Sequence, residues 1–139
     1  MVLQLKLLRC FIVDDSAAFL DAARDLLERE GITVVGVAST SAEALQGVEE
    51  LRPDVTLVDV DLGEENGFEL AEHLHRNGWP APSPVIMTSA HAAQDFADMI
   101  AASPAVGFVS KFALSSGAIR DLAASVCGPS RRPGPPRLM

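Results

Sequence analysis

The sequence predicts an α/β fold, a doubly wound parallel sheet of five strands in flavodoxin-like (βα)5 arrangement. Two observations predict it. Short apolar runs alternate with amphipathic stretches from residue 7 to residue 127. Those runs are rich in Val, Ile, Leu and Phe, as strands covered on both faces are. At 139 residues the chain has room for one domain with a substantial core and too little for two of ordinary size.

The first strand is Leu7 to Val13. Asp15 and Ser16 then offer N-caps for a helix that turns Phe19, Ala23, Leu26 and Leu27 inward and ends at Gly31. Thr33 to Ala38 is the second strand. Ser41 can cap the second helix, whose inner face is Ala44, Leu45, Val48 and Leu51 and which Pro53 stops. Val55 to Val58 forms the third strand, and a third helix starts near Gly67 with Phe68, Leu70, Ala71 and Leu74 inside. Val85 to Thr88 and Val106 to Ser110 are the last two strands. Helices of about Ala92 to Ala102 and Ser115 to Val126 follow them. Right-handed crossovers put helices on both faces, and the expected strand order is 2-1-3-4-5. The domain is expected to occupy residues 1–127, and the Pro/Arg-rich tail GPSRRPGPPRLM, residues 128–139, is expected to be disordered.

Composition excludes several classes. Hydrophobic residues at 48% and charged residues at 22% are those of a globular chain, not a disordered one. No apolar run approaches the roughly 20 residues of a membrane span, and the opening MVLQLKLLRCFIVDD has acid where a signal peptide needs small residues, so no membrane association and a cytoplasmic location are expected. Cys10 and Cys127 make neither a disulfide framework nor a metal-ligand spacing. A net charge of −8 argues against direct nucleic-acid binding, which needs clustered Lys and Arg. No second domain is expected after residue 127.

In an open parallel sheet, ligands gather at the carboxyl ends of the strands. The first run ends in Asp14 and Asp15, the third in Asp59, the fourth in Ser89 and the fifth in Lys111. Singly, each is most simply a helix cap or a solvated loop residue. In the proposed strand order they converge. Three carboxylates in one pocket repel unless a cation is present, and their hard oxygens favour Mg²⁺ or Ca²⁺. Carboxylate, cation, hydroxyl and lysine together suit phosphoryl transfer, which requires an oxygen nucleophile and neutralisation of the phosphoryl oxygens.

The segments FIVDDS, LVDVDLGEENG, PVIMTSAH and GFVSKF resemble, in order and spacing, the four signature segments of the response-regulator receiver family of two-component signalling. The resemblance covers roughly residues 7 to 127. It implies that Asp59 is the phosphoacceptor, that Asp14, Asp15, Asp59 and the backbone carbonyl of Asp61 hold Mg²⁺, and that Ser89 and Lys111 assist the transfer. It further implies that Ser89 and Phe108 form the switch, the ring moving inward when the hydroxyl is drawn away; the alternative for Phe108 is an ordinary edge-of-core aromatic. Asp61 and His91 stand where family members modulate dephosphorylation. The implied partners are a sensor histidine kinase or histidine phosphotransfer protein as donor and a downstream protein, with a possible homodimer. Output would pass through the surface of the fourth helix, fifth strand and fifth helix.

Two departures stand out. Gly63 replaces a common Pro, which implies a more mobile loop. Phe112 follows Lys111 where a cis Pro is usual; a cis bond before a non-proline residue costs about 2.5–4 kcal/mol, so a trans bond is expected. Two rival readings remain. One takes Asp59-Val60-Asp61 as the Asp-x-Asp of a haloacid-dehalogenase-like phosphatase, with Asp59 as nucleophile and Asp61 as general acid, and leaves Asp14 and Asp15 unexplained. The other is a receiver-like interaction module that is never phosphorylated.

Overall fold

A computed structural model describes residues 8–77, 83–124 and 137–138. The order is β1 (Arg9–Val13), α1 (Ala17–Arg29), β2 (Thr33–Ala38), α2 (Ser41–Leu51), β3 (Val55–Asp59), the short strands β4 (Asp61–Leu62) and β5 (Glu65–Asn66), α3 (Gly67–Asn77), β6 (Val85–Ser89), α4 (Ala97–Ala102), β7 (Gly107–Ser110), α5 (Ser116–Ala124) and β8 (Arg137–Leu138). The main sheet runs β2-β1-β3-β6-β7-β8 with every pairing parallel. Its first five strands are the five expected from the sequence, in the expected order.

Consecutive residues of one strand enter opposite layers, because side chains alternate across a sheet. Phe11 and Val13 of β1 join Val58, Phe68, Leu70, Leu74, Met87, Ile100 and Phe108 on one face. Ile12 joins Leu27, Leu57, Ile86, Val109, Ile119 and Leu122 on the other. Hence α2, α3 and α4 cover one face, α1 and α5 the other, and the strands read as continuous apolar runs. Phe11 also explains a glycine inside a helix. A Cβ on Gly47 of α2 would lie 2.5 Å from the Phe11 ring and one on Gly36 of β2 2.8 Å from it, so the ring occupies the space that both side chains would need. Burial pushes the Cys10 thiol up to about 12, the state of an inert core thiol. Cys127 lies outside the described residues.

Several boundaries differ from expectation for local reasons. The α2 cap is Thr40, not Ser41: Thr40 Oγ1 accepts the Glu43 N–H at 3.2 Å while Glu43 Oε1 accepts the Ser39 N–H at 3.0 Å, a reciprocal arrangement akin to a capping box. The single helix expected from Ala92 to Ala102 is divided into a 3₁₀ turn, Ala93–Phe96, and α4. No side chain caps the start of that turn, so nothing there holds the first free N–H groups of a longer helix. Arg137–Leu138 lie beside β7 as a sixth strand, which covers backbone groups that an edge strand would otherwise leave unpaired. The rest of the tail expected to be disordered, residues 128–136 and 139, lies outside the described residues. Among the described residues, no helix is long and apolar enough to cross a membrane.

Candidate functional site

β1, β3, β6 and β7 are neighbours and, being parallel, end at one rim of the sheet. Asp14 follows β1, Asp59 ends β3, Ser89 ends β6 and Lys111 follows β7. Oxygens of Asp14, Asp15 and Asp59 lie within 4.8 Å of one another. Asp14 is fully buried and Asp59 is 5% exposed, whereas Asp15 is open to solvent. The Lys111 ammonium stands 2.7 Å from Asp14 Oδ2 and 3.3 Å from Asp59 Oδ2. The Lys111 ammonium thus pairs with two of the three carboxylates.

The remaining donors come from the backbone. Asp14 Oδ1 accepts the Ser16 N–H at 2.8 Å, and Ser16 Oγ accepts the Phe19 N–H at 3.2 Å, so the α1 cap also fixes the Asp14 carboxylate. Asp59 Oδ1 accepts the Asp61 N–H at 3.3 Å. Gly67 brings α3 against this loop: its N–H donates to Val60 O at 2.9 Å, and a Cβ there would collide with the Asp59 carbonyl oxygen. Gly63 adopts φ +74°, closed to the proline common at this position because the ring holds φ near −65°. Its N–H donates to Asp61 Oδ1 at 3.2 Å, within a tight β4–β5 hairpin. Neither the hairpin nor the Asp61 N–H contact was foreseen, because two-residue strands carry no readable periodicity.

Electrostatics follow from this geometry. Burial, then the neighbouring Asp14 charge, pushes the Asp59 carboxyl up to about 6, against the opposing pull of Lys111 and the Asp61 N–H. Burial draws the Lys111 ammonium downward, but Asp14 and Asp59 outweigh it and its net shift is upward. Asp14 Oδ2 is buried without a hydrogen-bond partner, despite its close ion pair. An all-oxygen cluster of three carboxylates, two of them buried and two paired with the same ammonium, fits a hard divalent cation.

The other residues singled out from the sequence surround this centre. Ser89 is buried, and its Oγ accepts the His91 N–H at 2.9 Å. The exposed His91 ring lies 6.3 Å from that of Phe96, which stands equally far from Phe108. Phe108 is fully buried, its ring already in the interior. Asp61 is exposed. Phe19, read from the sequence only as a core residue, lies under the lysine: Lys111 Nζ is 4.5 Å from the centroid of its ring.

Comparison with known proteins agrees with the rim. Residues 10–121 match the response regulator receiver domain family. The chain belongs to that family. Receiver domains work as phosphoacceptor switches of two-component systems, and the phosphatase reading gives no role to the buried Asp14 or the exposed Asp15 beside Asp59. The chain is 35% identical over 108 residues to a protein-glutamate methylesterase/protein-glutamine glutaminase of Halobacterium salinarum, covering 78% of this chain and 30% of that protein. It is 31% identical over 135 residues to the transcriptional regulatory protein YvfU of Bacillus subtilis, covering 95% and 64%. It therefore spans less than two thirds of the length of either relative. Among solved structures, the receiver domain of NarL from Mycobacterium tuberculosis superimposes with a TM-score of 0.75 at 25% identity, over 85% of this chain and 97% of that one. The response regulator domain of Thermotoga maritima CheB gives 0.68 at 28%, over 88% and 92%.

Proposed function

We infer that this receiver domain is switched by transfer of a phosphoryl group to Asp59 from a phosphohistidine on a sensor kinase or phosphotransfer protein. The observation that carries the reading is the place of the Asp59 carboxylate, within 4.8 Å of the Asp14 and Asp15 oxygens and 3.3 Å from Lys111. An Asp59 oxygen attacks phosphorus, the O–P bond forms, and the P–N bond to the donor imidazole breaks. Asp14, Asp15, Asp59 and the Asp61 carbonyl would hold Mg²⁺, which when bound neutralises the phosphoryl oxygens and lowers the cost of ionising Asp59. Lys111 moves from pairing two carboxylates to pairing Asp59 and the phosphoryl group. Ser89 donates its hydroxyl to a phosphoryl oxygen and gives up the His91 N–H that its Oγ accepts.

That exchange is the switch. Loss of the Ser89–His91 hydrogen bond loosens the loop after β6, and His91, Phe96 and Phe108 transmit the change to α4, β7 and α5. Output then passes by this surface to a downstream protein or a second copy of the chain. Asp61 and His91 tune access of water to the acyl phosphate; substituting each by Ala is expected to change the phosphate-release rate, and unchanged rates in both would end that assignment.

Intact mass after treatment with acetyl phosphate and Mg²⁺ tests the central reading. The parent is expected to gain one phosphoryl group and Asp59→Ala none. A group retained in the variant, or no Mg²⁺-dependent gain in the parent, would overturn it.

A further inference from the structure

We propose that Phe19 is a positioning residue for phosphoryl transfer, its ring holding the Lys111 ammonium between Asp14 and Asp59 by a cation–π contact. The proposal rests on the functional reading above and adds to it. Lys111 lacks the proline that would stiffen the following bond, and its backbone sits in a single 3₁₀ turn, Lys111–Ala113, tied by the Phe112 N–H donating to Ser110 Oγ at 3.2 Å. This tie holds the backbone and does not reach the long side chain. Carboxylates alone do not choose a position for it, because two compete: Asp14 Oδ2 at 2.7 Å draws the ammonium toward β1 and Asp59 Oδ2 at 3.3 Å draws it toward β3.

Phe19 supplies a third contact. Its ring centroid lies 4.5 Å from Nζ, within the roughly 6 Å over which a ring face attracts a cation. The ring is itself well placed. Phe19 lies in the first turn of α1, its N–H held by Ser16 Oγ, and it packs against the core layer beneath α1 and α5. An aromatic face attracts the ammonium without competing with a carboxylate for protons or metal, so it can steady Lys111 in both the resting and the phosphorylated states.

Phe19→Leu, Phe19→Tyr and Phe19→Trp separate cation–π attraction from bulk. The chain has two lysines, Lys6 and Lys111, so ¹³Cε-lysine labelling yields two signals that a Lys6→Arg background assigns. The Lys111 Hε protons are expected upfield, shielded by the ring. That shift should vanish in Phe19→Leu and persist with Tyr and Trp. The rate of Asp59 phosphorylation by acetyl phosphate, followed by intact mass, is expected to fall roughly three- to thirtyfold in Phe19→Leu and to be restored by Tyr and Trp. The proposal is overturned if the Lys111 protons are unshifted, if Phe19→Leu reacts at the parent rate, or if Tyr and Trp are as slow as Leu. A parent that takes up no phosphoryl group on Asp59 overturns the functional reading, and this proposal with it; a phosphorylated parent matched by Phe19→Leu overturns the proposal alone.

Discussion

Replacing Asp59 by Asn is expected to stabilise the metal-free protein at neutral pH, although it removes the proposed phosphoacceptor. Burial and the Asp14 charge push the Asp59 carboxyl from 3.8 up to about 6. The folded state therefore holds this proton more tightly than the unfolded chain does. Stability contributed by the protonated group is complete below about pH 4, is lost as pH rises toward 6, and is absent above that. At 1.36 kcal/mol per pH unit, the ionised carboxylate costs the fold on the order of 3 kcal/mol at pH 7.5. Asparagine keeps the shape and carries no charge, so unfolding in urea at pH 7.5 should require about 2–3 kcal/mol more than in the parent, and the gap should close near pH 4. Added Mg²⁺ should narrow it by stabilising the parent's carboxylates. A variant less stable than the parent at pH 7.5, or a gap that ignores pH, would contradict the electrostatics described here.

Removing Lys111 should act in the opposite direction. Its ammonium is the positive charge facing Asp14 and Asp59, and among the described residues the buried Asp14 Oδ2 meets no other donor. Deleting one partner of a buried pair costs about 3–5 kcal/mol. Because Lys111 keeps some contact with water, Lys111→Met should lie toward the lower end. Two comparisons isolate the cause. Asp14→Asn in the Lys111→Met background should recover much of the loss, as a double-mutant cycle would show. Mg²⁺ should raise the melting temperature of Lys111→Met more than that of the parent, since the ion then supplies the missing charge. Phosphorylation by acetyl phosphate should be roughly a hundredfold slower or worse even with Mg²⁺ present, as when a donor to developing charge is deleted. Parent-like stability without metal, or a parent-like rate with it, would remove Lys111 from the site.

The site was legible in the sequence to the extent that strand ends were. Asp14, Asp59, Ser89 and Lys111 each close an apolar run, and parallel topology carries such residues to one rim. Contacts that depend on side-chain direction were not legible. Phe19 has the helical spacing of a core residue, and nothing in that spacing tells that a lysine from the other end of the domain rests on its ring. Gly67 looked like a helix start; that its missing side chain makes room for the Asp59 carbonyl depends on how closely α3 approaches β3. Ser41 is the better cap by residue type; that Thr40 takes the place instead, with Glu43 reaching back to Ser39, depends on where the backbone turns into α2.

From its order of residues alone, this chain set the alternation of strands and helices, the strand order, and the kinds of group delivered to the carboxyl rim, because hydrophobic period and residue type are local properties. Tertiary structure alone decided how deeply each group is buried, that Lys111 stands closer to Asp14 than to Asp59, and that burial and the Asp14 charge push the Asp59 carboxyl upward. Those outcomes are sums over neighbours brought from distant parts of the chain, and both charge interaction and desolvation depend on distances that exist only once the sheet has closed.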